Sequence, residues 1–145
     1  MERLIQRDAF GRRLRGERGL ALVETTLVIL LLLFVTFAMM EFGWLFHRIQ
    51  QINNGAREGA RIAVLPDRTA ADAIATVDGL MDSFGIAGAD VTVNPADTSD
   101  LESGDLITVT VEVPVSNVML TGLFLGEAFL GESLSTSATM AKESP

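Results

Sequence analysis

Cysteine is absent from the 145 residues, and histidine occurs once, at His47. No disulfide, no lipid-bearing cysteine and no thiolate metal site can form. A His/Cys zinc cluster is excluded on the same grounds. Catalytic signatures are missing too: there is no G-x-S-x-G, no P-loop, no H-E-x-x-H and no Gly-rich dinucleotide pattern. His47 stands at the end of an apolar run with no Ser or Cys beside it, so a polar interface residue is expected there rather than a general base. Neither enzymatic activity nor a metal or cofactor is expected.

Positive charge is scarce outside the first residues. Residues 1–19 carry six Arg against three acids, whereas residues 20–145 carry five basic groups against sixteen acids. Phosphate binding needs clustered cations, so nucleic acid is not an expected partner of the acidic part. The split suits a basic cytoplasmic flank followed by an acidic exported domain.

What the chain has in abundance is apolar length. From Leu20 to Phe46 only Glu24 and Glu41 are charged. As a helix these residues would extend about 40 Å, enough to cross a hydrocarbon core of about 30 Å. A secretory signal peptide has a shorter apolar core and a small-residue cleavage site, and neither is found here. Arg12-Arg13 could suggest a twin-arginine signal, but the pair stands among four other Arg residues. The Arg bias predicts a cytoplasmic N-terminus, with Trp44 and Phe46 in an interfacial aromatic belt at the outer edge. Glu41, within a turn of that belt, is expected to reach for water.

Glu24 lies deeper. An acid at the centre of a membrane helix costs roughly 2.5–3.5 kcal/mol on insertion scales, and such acids are usually paired. It either snorkels to the inner face or has a partner. Cleavage after Gly19 would give Leu20 a cationic α-amino group. That amine and Glu24 are one helical turn apart, so one chain's Glu24 could pair with a neighbour's Leu20 amine and fix axial register.

The segment "GLALVETTLVILLLLF", with Gly19 before "LALVE", resembles the processing site of type IV-like prepilins. Together with "QQINNGAREGARIAV" at residues 50–64, it is similar to the TadE family of pseudopilins, or minor pilins, of the Tad (Flp) pilus. The resemblance covers residues 16–65. It implies cutting after Gly19 by a prepilin peptidase, with Gly19 and Leu20 as the processing site and Glu24 as the assembly residue. The partners it implies are that peptidase, other pilins and pseudopilins, and the inner-membrane assembly platform. The rival reading is an uncleaved single-pass anchor whose acidic domain binds or senses something outside.

The expected organisation is a basic leader over residues 1–19, cleaved; a transmembrane helix over 20–46 in the lipid bilayer; and an exported domain over 47–145. Phe42, Leu45, Ile49, Ile52, Ala56, Gly59 and Ala63 recur at intervals of three and four, which predicts one helix from about Leu22 to Val64, stopped by Pro66. Gly55 and Gly59 imply close packing, expected from a sheet pressed against the helix. Arg57, Glu58 and Arg61 read as solvated or weakly paired helix charges. A second helix is predicted over about 68–84, with Asp67 or Thr69 as its cap and Gly85 at its end.

Three strands follow in the pattern. "ADVTVNP" is short. "DLITVTVEVPV" alternates Ile107, Val109, Val111, Val113 and Val115 with polar residues, and Pro114 suggests an edge or a strand end. "SLSTSATMAK" sets Leu134, Thr136, Ala138 and Met140 on one side. The fold class is therefore α+β: a long transmembrane and spine helix, a second short helix and a small antiparallel sheet of about three strands, the pilin-like architecture that the resemblance also implies. Asp97, Asp100, Glu102 and Asp105 lie between two strands without EF-hand spacing, so a solvated hairpin loop is expected. Residues 116–133 are apolar with Gly breaks, too interrupted for a second span. They could cover the core, touch the outer leaflet or meet a neighbouring subunit.

Overall fold

The computed structural model describes residues 2–98, 101–122 and 130–143, with side chains from Gly19 onward. The elements are α1 (Glu2–Ala63), α2 (Ala70–Ser83), β1 (Asp90–Asn94), β2 (Leu106–Pro114), a 3-10 turn (Val115–Asn117) and β3 (Ser133–Ala141). The chain is thus α+β, with a long N-terminal helix, a short second helix and a three-stranded antiparallel sheet. Two compact units divide at Met40 and Glu41.

In the first unit, α1 begins at Glu2 and not near Leu22. The leader has no proline to stop the helix, and its Arg, Leu, Glu and Gln are good helix formers that offset the cost of Gly11 and Gly16. The large side chains from Leu20 to Val35 are exposed all along this unit, with Leu20 at 71%. A helix apolar on every side and buried nowhere fits a membrane anchor.

In the second unit α1 becomes amphipathic. Leu45, Ile52, Ala56, Ala60 and Ala63 are buried and face α2 residues Ala73, Val77 and Met81, together with the inner face of the sheet. The stripe differs from expectation at its start. Phe42 is 57% exposed, and Glu41, one residue earlier and four before Leu45, takes the buried position. Helical phase decides this, because i and i+4 share a face.

Gly55 and Gly59 lie where α2 crosses. A Cβ on Gly55 would collide with the methyl end of Met81, and one on Gly59 would stand 2.5 Å from Val77 Cγ2 and 3.2 Å from Val109 Cγ1. The close partner is therefore chiefly α2, with β2 touching only Gly59, and not the sheet alone. α1 stops where expected: Val64 still donates to Ala60 O, Leu65 to Ile62 O, and Pro66 follows.

α2 is shorter than its pattern by two residues at the start and one at the end. Thr69 is the cap. Its hydroxyl accepts the Asp72 N–H at 3.2 Å, and Asp72 Oδ2 accepts the Thr69 N–H at 2.9 Å, a reciprocal box that fixes the start. At the other end Gly85 (φ +66) donates to Asp82 O at 3.0 Å, and Ile86 donates to Met81 O at 2.9 Å. This left-handed glycine closure turns the chain towards β1.

The strand order is β1-β2-β3, with Val91 opposite Val111 and Val111 opposite Thr136. Ile107, Val109, Val111, Val113 and Val115 are all fully buried. β2 is central, so Pro114 is a strand end and not an edge; it needs no ladder N–H there. On β3, Leu134, Thr136, Ala138 and Met140 face inward but are only half-buried. Thr136 donates to Asn53 Oδ1 of α1, and Glu143 donates to Val64 O at 3.1 Å, tying β3 and the chain just beyond it to the spine and its C-terminal end.

Candidate assembly and anchoring sites

Gly19, Leu20 and Glu24 lie on α1 within the first unit. A Cβ built at Gly19 meets nothing within 4 Å. Glycine costs a helix close to 1 kcal/mol against alanine, and this chain's own packing gives no reason for one there. Leu20 and Glu24, one turn apart, are both exposed, and among the described residues Glu24 has no hydrogen-bond or ion-pair partner. The nearby hydroxyls do not serve it: Thr25 donates to Ala21 O and Thr26 to Leu22 O, each at 2.8 Å. Thr36 does the same to Leu32 O. The apolar unit therefore presents a carboxylate one turn above the expected new terminus.

The second unit opens with an acid in an opposite state. Glu41 is only 2% exposed. Its Oε1 accepts the backbone N–H of Gly122 at 2.7 Å and of Thr121 at 3.3 Å, and its Oε2 accepts the Thr121 hydroxyl. The expectation that Glu41 reaches for water is corrected: three donors from the chain after β2 take the place of water. An ionised carboxylate removed from solvent needs such donors. The signal for this was in the sequence, since stepping back four residues from Leu45 along the buried stripe lands on Glu41. Its partners, 80 residues further on, carry no signature.

One turn above, Trp44 and Phe46 diverge. Phe46 is 64% exposed, whereas Trp44 is half-buried. The Arg48 guanidinium lies 4.7 Å from the Trp44 ring centroid, and the His47 ring is 6.4 Å away, tilted at 51°. Arg48 also donates to Gln51 Oε1 at 3.1 Å and to the carbonyl of Phe84, the C-cap of α2. α2 has no basic residue in its own last turn. Arg48 therefore supplies from α1 the cation that a helix C-terminus favours. No pattern along α1 alone marks Arg48 for this role.

Further out, Arg61 forms a forked pair with Glu58 at 2.6 and 3.0 Å. The Arg61 hydrogen bonds hold the Glu58 carboxyl below its ordinary value, against a smaller opposing effect of burial. Both groups are open enough to solvent that screening leaves the pair little weight in stability, and Arg57 is exposed. In the β1–β2 connection Asp105 Oδ2 accepts the Glu102 N–H at 2.9 Å, closing its own turn. Asp100 lies outside the described residues. Among those described, no three His, Asp or Glu side chains gather as a metal would require. Of residues 116–133, Val118 is in the core, Met119 and Leu130 pack against it, and 121–122 hold Glu41. Residues 123–129 lie outside the description.

The two units define an α+β protein with an apolar anchor helix that carries one exposed acid near its start. The family model for TadE-like protein matches residues 19–61. That stretch begins at the bare glycine and ends with the forked Glu58–Arg61 pair. No curated protein and no solved structure matches the chain.

Proposed function

We propose that this protein is a TadE-like minor pilin, a structural or priming subunit of Tad pilus assembly that a prepilin peptidase cuts after Gly19. It sits in the bacterial inner membrane with residues 1–19 in the cytoplasm, 20–46 across the bilayer, and 47–145 outside. It is a substrate of the peptidase and not an enzyme. After cleavage the Leu20 amine of one subunit is neutralised by Glu24 of another, and the apolar helix exchanges lipid for neighbouring helices. Its partners are other pilins and the inner-membrane platform.

The observation that carries this reading is the coincidence at residue 19: the family match starts on a glycine that the chain's own packing does not require. Glu24, one turn beyond Leu20 and without a partner among the described residues, supports it. The test is the intact mass and N-terminal residue of the protein from membranes of cells with an active prepilin peptidase. A chain starting at Leu20 is expected. A chain still starting at Met1 would favour the uncleaved anchor. With processing established, Glu24→Ala is expected to leave insertion and cleavage intact but to reduce recovery of the protein with other pilins. Equal recovery would remove the pairing from the mechanism.

A further inference from the structure

We propose that the loop Leu120–Thr121–Gly122 is seated in the outer leaflet of the bilayer, with Glu41 as its internal anchor. The inference rests on the reading of α1 as a membrane span.

Depth comes first. Trp44 and Phe46 mark the level of the headgroups, where aromatic rings of a span accumulate. Glu41 is three residues nearer the hydrocarbon, about 4.5 Å at 1.5 Å per residue. The backbone N–H groups of Thr121 and Gly122 bond directly to its carboxylate, so this loop lies at the level of Glu41 and below Trp44. Leu120 is 47% exposed, and Phe42, one residue from Glu41 on α1, is 57% exposed. Apolar side chains left open on the loop and on the helix near one level are ones that lipid, and not water, would cover.

The polar groups meet the same demand. Irregular backbone at membrane depth is tolerated only where protein satisfies it. Glu41 does this for Thr121 and Gly122, and the loop in turn removes the carboxylate from lipid. Neither partner suits that depth alone. The opposite end of β2 provides the contrast: Leu106 is 65% exposed, eight residues of strand and about 26 Å from Pro114, and no part of the loop reaches it in sequence.

The lack of cysteine makes the test direct. Leu30→Cys, Leu106→Cys and Leu120→Cys are each labelled with an environment-sensitive fluorophore in the full chain, reconstituted in phosphatidylcholine–phosphatidylglycerol vesicles. Quenching is read with lipids spin-labelled near the headgroup or deep in the acyl chain. A probe at 120 is expected to be quenched by the shallow label about threefold more than one at 106, as for groups inserted 5–10 Å into the interface. A probe at 30 is expected to respond to the deep label. If 30 responds and 120 is no different from 106, the seated loop is overturned while the span stands. If 30 does not respond, the span reading fails and takes this inference with it. Glu41→Gln and Glu41→Ala in the Leu120→Cys background are expected to lower the shallow quenching in that order. Unchanged quenching in both would overturn the anchoring role of Glu41.

Discussion

Two acids on one helix meet opposite fates, and each can be tested by a single substitution. Glu41→Ala removes the acceptor that holds the Gly122 N–H and the Thr121 N–H and hydroxyl to the spine. Losing hydrogen bonds to a charged group costs about 1.5–3 kcal/mol, so the detergent-solubilised variant should unfold at lower denaturant. Glu41→Gln, which keeps an acceptor oxygen, should fall between it and the parent. The two spine glycines should also behave differently. At Gly55 the obstructing atom is the free end of Met81, which can swing aside. The gain in helix propensity, close to 1 kcal/mol, then makes Gly55→Ala neutral or mildly stabilising. At Gly59 the obstruction is Val77, β-branched and stiff, with Val109 behind it. Gly59→Ala should lose about 1–3 kcal/mol to overpacking. Equal unfolding midpoints for the two variants would contradict this account. The sequence reading anticipated close packing at both glycines, since small residues in a helix need a reason. It did not reach α2 as the neighbour, because composition carries no information on which element crosses where.

At the scale of elements, legibility followed periodicity. Ile107, Val109, Val111 and Val113 alternate with polar residues along β2 and are buried as the pattern predicts; Val115, the fifth of the series, is buried too but opens the 3-10 turn instead of extending the strand. β3 could be read for the same reason, and its inward residues are the four expected. α2 was overextended because Asp67 and Thr69 are both acceptable caps; only the reciprocal bonds of Thr69 and Asp72 decide between them. That box has a consequence for pH. The Thr69 backbone N–H, and then its hydroxyl, hold the Asp72 carboxyl below its ordinary value of 3.8. A carboxylate depressed in the folded state contributes stability that is present above its unfolded value and lost as pH falls through the folded one. The parent should therefore lose stability more steeply than Asp72→Asn as pH falls below the ordinary value of 3.8. Thermal unfolding followed across that range checks it, and parallel curves would count against the box. Arg48 was invisible at this scale for a different reason. Its partner is the end of a helix 36 residues away, and pattern within one element cannot report a contact between two.

Over the whole molecule, charge is the most readable feature. Six Arg precede the apolar helix, and the remainder is strongly acidic. Replacing Arg12, Arg13, Arg15 and Arg18 with Ser should therefore weaken the cytoplasmic retention of the N-terminus. In membrane vesicles of known orientation, a fraction of the variant should lose protease protection of its acidic domain or gain it, opposite to the parent. Uniform orientation in both would show that the leader's charge does not set topology. The apolar unit has a quieter property. The hydroxyl protons of Thr25, Thr26 and Thr36 are each directed to a carbonyl four residues back on the same helix, so a neighbour finds little there to hold. Between Leu20 and Met40, Glu24 is the one charged side chain. A helix approaching this surface can slide and rotate along it at little cost until it meets that level, where a single notch on an otherwise smooth rod sets the stop.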